Sequence, residues 1–160
     1  MPTKRKVSNL EPLYLTIKGT LITRTLSRKT RGQHAKDTRE CYRWSIKYPM
    51  VKDTELAINE LKSCFGDRLD DQYCPNWIKD AINNGGFDEI EFINFKSMYP
   101  LIVKDYESEK ELNPDDIVSG ATGYFKLKFK PNDEGEFTAY CSRFLMTENG
   151  IGNDKVDCDF

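Results

Sequence analysis

Histidine is almost missing from this 160-residue chain: His34 is the only one. It stands in a basic stretch without apolar periodicity, so a nucleophile activated by a histidine base has little support. Cysteine is present but unpatterned. Cys41, Cys64, Cys74, Cys141 and Cys158 are odd in number and include no CxxC pair, which suits free thiols in a reducing cytoplasm better than disulfides. A zinc site using Cys64 and Cys74 has no finger or ribbon spacing behind it. Long apolar runs are also lacking. Nothing approaches the roughly 20 residues that span a bilayer, and "MPTKRKVSNLEP" carries charge with no apolar segment behind it. The expectation is a cytoplasmic protein with no membrane contact.

Carboxylates are plentiful, but Asp67, Asp70 and Asp71, like Asp88, Glu89 and Glu91, fall at expected helix ends or turns. There they serve as solvated caps more readily than as magnesium ligands, and a metal-dependent nuclease is the weakest reading. Gly120 and Gly123 in "SGATGYF" precede a strand pattern, so the helix dipole of a phosphate loop is absent. No catalytic residue, metal or cofactor is expected.

What the chain does have is asymmetric charge. The net charge is −2, yet residues 1–50 hold twelve Lys or Arg against three acids, a balance of +9 that leaves −11 for the rest. Such a basic region in an acidic protein points to one surface built for a polyanion. The length suits one domain, here residues 1–150, followed by an acidic tail over 151–160.

Strand patterning dominates. In "LYLTIKGTLITRTL" Leu13, Leu15, Ile17 and Leu21 alternate with Tyr14, Thr16, Lys18 and Thr20, and Gly19 marks a bend or bulge. The basic stretch "SRKTRGQHAKDTR" reads as a loop, and "CYRWSIKYP" as the second strand of a hairpin around it. Between residues 53 and 84 the period turns helical, with Leu56, Ile58, Leu61 and Phe65 after an Asp53/Thr54 cap, then Pro75 and an Asn83–Gly86 stop. Strands return in "IEFINF", "PLIV", "GYFKLKFKP" and "EFTAYCSRFLM", the last two joined by the turn "NDEG". Five or more strands, one helical insertion and no βαβ alternation predict a mainly β, OB-fold-like antiparallel Greek-key barrel.

Single-stranded nucleic acids are held by a basic groove along the phosphates and by aromatic faces on which bases stack. Both interleave here. The candidate contacts are Tyr14, Lys18, Arg24, Arg28, Lys29, Arg31, Lys36, Arg39, Arg43, Trp44 and Lys47 in the first hairpin, with Tyr124, Lys126 and Lys128 in the second. Trp44 shares a face with Tyr42, Ile46 and Tyr48, opposite Arg43 and Lys47, and periodicity leaves open whether that face is core or stacking surface.

The C-terminal third, with "IVSGATGYF" entering a strand and two strands running into "ENG", resembles phage-encoded single-stranded DNA-binding proteins of the OB-fold type. The ending "VDCDF" is similar to their acidic, Phe-terminated tails. The resemblance implies sequence-independent coating of single-stranded DNA during phage replication and recombination in the host cytoplasm. It further implies homodimers, and contacts to replication or recombination enzymes through Asp157, Asp159 and Phe160. An OB-type RNA-binding or protein-interaction module is the alternative.

Overall fold

The computed structural model describes residues 12–31, 40–66, 69–70, 74–131 and 137–150. Its strands are β1 (Leu13–Ile22), β2 (Thr30–Arg31), β3 (Glu40–Met50), β4 (Phe92–Ser97), β5 (Ile102–Asp105), β6 (Thr122–Pro131) and β7 (Phe137–Glu148). Two helices, α1 (Thr54–Phe65) and α2 (Asn76–Asn84), separate β3 from β4.

The alternating sequence of β1 pairs antiparallel with β6 from Leu13↔Phe129 to Thr20↔Thr122 without a break. Strand β6 continues antiparallel to β7, and β1 pairs on its other side with β3. Strand β4 pairs with β3, whereas β5 runs parallel to β7. Strands β4 and β5 flank Pro100, which has no amide proton to extend a ladder, so they act as one interrupted strand. This closes the circuit β1–β3–β4/β5–β7–β6–β1, the strand order of an OB fold, with α1 and α2 as a helical insertion.

The insertion packs beneath the sheet. Asp53 caps α1 by accepting from Leu56 N at 3.1 Å, and Gly85 ends α2 in the left-handed conformation. Leu56 departs from the expected apolar face: it is exposed, and Ala57, Ile58, Leu61 and Phe65 are the buried set of α1. Phe65 and Trp77 reach Phe129 of β6 at ring-centroid distances of 5.9 and 6.4 Å. Phe125, Leu127 and Phe129 are all fully buried, as their alternation requires.

Two glycines allow the barrel to close. A Cβ on Gly19 would strike Ile46 Cγ2, and β3 answers with a bulge, since Lys18 pairs with Met50 but Thr20 with Lys47. Tyr48, at that bulge, takes a positive φ of 56° and turns outward, 61% exposed, against the expectation that it shares a face with Trp44. A Cβ on Gly123 would meet the Leu145 carbonyl, and would lie 2.8 Å from Phe144 Cε1 and 2.9 Å from Met146 Cα. Gly123→Ala is therefore expected to cost about 1–3 kcal/mol or more, because rigid backbone must move. Thermal melts should show a drop of several degrees, with Gly66→Ala, whose Cβ would have only Lys62 Cβ at 3.8 Å, nearly unchanged.

Candidate nucleic-acid interface

Inward packing of β1, β6 and β7 forces their alternate side chains outward, and the register arranges these in rows across the three strands. Tyr14, Lys128 and Tyr140 form the first row, and Thr16, Lys126 and Arg143 the second. Lys18, Tyr124 and Leu145 form the third. Successive rows lie about 7 Å apart, so the face runs for some 20 Å between the first row and Thr20. Aromatic rings stand beside lysines in the first and third rows, and the row between them carries Lys126 and Arg143.

Ring faces and a hydroxyl hold three of the lysines. Lys128 Nζ lies 5.8 Å from the Tyr14 ring centroid and Lys18 Nζ 5.9 Å from that of Tyr124. Lys126 Nζ donates to Thr16 Oγ1 at 2.9 Å. Tyr14 is 64% exposed and Tyr140 is 49% exposed, large enough for bases to stack on. A second bulge contributes to the pattern: Lys126 pairs with Arg143 but Leu127 with Cys141, so the extra residue, Ser142, brings Arg143 beside Lys126.

A turn after β5 raises one wall of the face. Asp105 Oδ2 accepts from both Ser108 N and Ser108 Oγ at 2.9 Å, and these bonds hold its carboxyl below the ordinary aspartate range. Tyr106 N donates to Met146 O at 2.9 Å, and its ring meets Tyr124 with centroids 5.0 Å apart. Tyr106, Tyr140 and Arg143 were not among the sequence-level candidates. The alternation of β7 around "AYCSRF" could have suggested Tyr140, but the bulge that re-aims Arg143 leaves no local signal.

Two sequence candidates move off the surface. Trp44 is 1% exposed, inside the barrel against Phe95 with centroids 6.0 Å apart, and no base can reach it. Its Nε1 makes no full hydrogen bond among the described residues, and the Cys141 thiol is a polar group that feels it. Burial pushes that thiol up to about 12, which outweighs the opposing pull of the indole and of the Arg143 backbone. Arg43 is 2% exposed and is likewise withdrawn, because the β1–β3 connection folds over it. Arg43 Nε donates to Thr30 O at 3.1 Å, Thr23 Oγ1 donates to Arg43 O at 2.8 Å, and Leu26 of the same connection joins the apolar core. The connection thus begins as a packed strap, not the unpatterned loop its composition suggested.

The remaining candidates divide. Lys47, half-buried, pairs with Thr20 at the border of the face and lies 5.0 Å from the Tyr48 ring. Arg24, Arg28 and Lys29 are exposed on the β1–β3 connection, beyond Thr20 where the β1–β6 rows end. Arg31 is placed by backbone pairing with Glu40. Lys36, Arg39, Asp157, Asp159 and Phe160 lie outside the described residues. Among the described residues no helix is long and apolar enough to cross a membrane.

Since Trp44 is core, Trp44→Ala should destabilise the fold by about 3–5 kcal/mol, measured by denaturant unfolding. Trp77 is buried as well, so tryptophan emission should not show the quenching by oligo(dT) that direct base stacking produces.

No family model matches the chain, and no curated protein matches it in sequence. Among solved structures, it is similar to the single-stranded DNA-binding protein from bacteriophage Enc34 in complex with ssDNA. The identity is 13% and the TM-score 0.49, over 88% of this chain and 89% of that one. A C-terminal truncation of the Enc34 protein gives 15% identity and a TM-score of 0.48 over 86% of each chain.

Proposed function

We propose that this protein binds single-stranded DNA without regard to sequence, through the outer face of β1, β6 and β7. The observation that carries the reading is the set of cross-strand rows in which Tyr14, Tyr140 and Tyr124 interleave with Lys128, Lys126, Arg143 and Lys18. Phosphates every few ångströms along a strand suit the cations, and unpaired bases suit the tyrosines. A duplex hides its base faces in the stack and could use only the cations. The strand faces that bind oligonucleotides in many OB folds, which correspond to β3 and β4/β5 here, are less available. Arg43 and Ser45 on the outer side of β3 are buried.

Coating of single strands during phage replication and recombination, in the host cytoplasm, is the role such binding fits. Under this reading the protein is not an enzyme. The acidic segment with Asp157, Asp159 and Phe160 would engage replication or recombination enzymes, since an apolar ring among carboxylates suits an apolar pocket with a basic rim. A homodimer would extend the coated length.

Binding should be strongest to poly(dT), weaker to duplex DNA and structured RNA, and should fall steeply with salt. The log–log slope should be about −0.7 per phosphate neutralised. Lys128→Ala and Arg143→Ala should each flatten the slope by about that amount and leave the melting temperature unchanged, since both side chains sit on the outer face. Equal affinity for single strands and duplex, or indifference to salt, would overturn the proposal; a preference for structured RNA would favour the alternative RNA-binding module.

A further inference from the structure

One part of the face differs from the rest in depth. At the third row, strands place Met50, Lys18, Tyr124 and Leu145 side by side in that order, and Tyr106 closes over Tyr124 from the far side. The result is a cleft of about 610 Å³ between two unlike walls. One wall is the tyrosine pair and the other is Met50 with Val51. Lys18, Lys52 and Lys126 also line it, and no acid does, whereas the neighbouring cleft of about 550 Å³ includes Glu109.

The backbone sets the position of both walls in advance. The bulge at Tyr48 shifts β3 so that Met50 stands beside Lys18, and Met50 is left 63% exposed with no core to serve. Tyr106 is held by its backbone bond to Met146 and by the Asp105–Ser108 bonds of the turn. Glu109 N also donates to Asp105 O at 2.9 Å, and Glu109 takes a positive φ of 60°, so the turn is tightly wound. Walls already in position cost little ordering entropy when a ligand enters.

Building on the single-strand reading above, we propose that this cleft is an anchoring base pocket. One unpaired nucleobase enters between the tyrosine pair and Met50, displacing Lys18 Nζ from the Tyr124 ring, and its flanking phosphates are taken by Lys18, Lys52 and Lys126. The remaining rows hold the strand by charge and by open stacking only. An aromatic ring on one side and a polarizable thioether on the other grip any base by its faces. Selection by hydrogen bonding is weak, because no carboxylate or amide side chain lines the cleft to read a base edge. The cleft volume lies within the ordinary range for small-ligand sites.

The test uses the full chain and three ten-residue oligomers: (dT)10, a fully abasic deoxyribose-phosphate strand, and the same abasic strand with a single central thymine. In the wild type the lone thymine should raise affinity roughly 5- to 150-fold over the fully abasic strand. Tyr106→Ala and Met50→Glu, on opposite walls, should each remove most of that gain, while Tyr106→Phe and Tyr140→Ala should keep it. With 5-iodouracil in place of the thymine, photocrosslinks should map to Tyr106 or Tyr124. If Tyr106→Ala proves unstable, Met50→Glu decides alone, its side chain being exposed. Tight binding of (dT)10 with no gain from the single thymine, or a gain that survives Met50→Glu, would overturn the pocket and leave general strand binding standing. Failure of (dT)10 to bind would overturn both.

Discussion

The unbroken register of β1 on β6 is the constraint from which the other features follow. From Leu13↔Phe129 to Thr20↔Thr122 each pair commits one side chain to the barrel and its neighbour to solvent. Phe125, Leu127 and Phe129 must be inside, and their burial against Leu15, Ile17 and the inserted helices drives folding. Tyr124, Lys126 and Lys128 are outside for the same reason. A one-residue slip would bury three lysine or tyrosine side chains and expose three large apolar ones. The core and the charged face are therefore two sides of one energetic decision.

Bulges then shape that face. At Gly19 the barrel brings β1 so close to Ile46 that no side chain fits, and β3 takes up the mismatch with an extra residue. This reverses the parity of β3 after Lys47, which is why Tyr48 faces out and Met50 lines up with Lys18. In β7 the extra residue at Ser142 does the same for Arg143. Both features need conformational freedom that the ideal ladder lacks, and both alter the rows where the cations and rings meet.

Crowding cations on one sheet face is unfavourable unless something offsets their repulsion. Here ring faces and a hydroxyl serve: Tyr14 and Tyr124 lie under Lys128 and Lys18, and Thr16 accepts from Lys126. These interactions are weak enough to exchange for a stronger anion and specific enough to keep the side chains ordered. Across the barrel, the segment following β1 uses its polar atoms differently, closing over Arg43 and removing it from solvent.

By itself the sequence determined the elements whose signal is local. Alternation in "LYLTIKG" and "YFKLKFK" assigned inner and outer faces because a strand has a fixed period of two. Asp53 and the Gly85 stop delimited the helical insertion because caps act over one turn. The outward placement of Tyr14, Lys18, Tyr124, Lys126 and Lys128 was legible on those grounds. Only the tertiary structure decided the fate of Trp44, Arg43, Met50, Tyr106 and Arg143. Trp44 and Arg43 lie on opposite faces of one strand and both are buried, since the barrel covers one face and the β1–β3 connection the other. Met50 and Arg143 owe their positions to bulges, and Tyr106 owes its position to a turn that meets β7 about 40 residues along the chain. Each depends on a close approach between distant segments of backbone, and no local periodicity encodes where such an approach will occur.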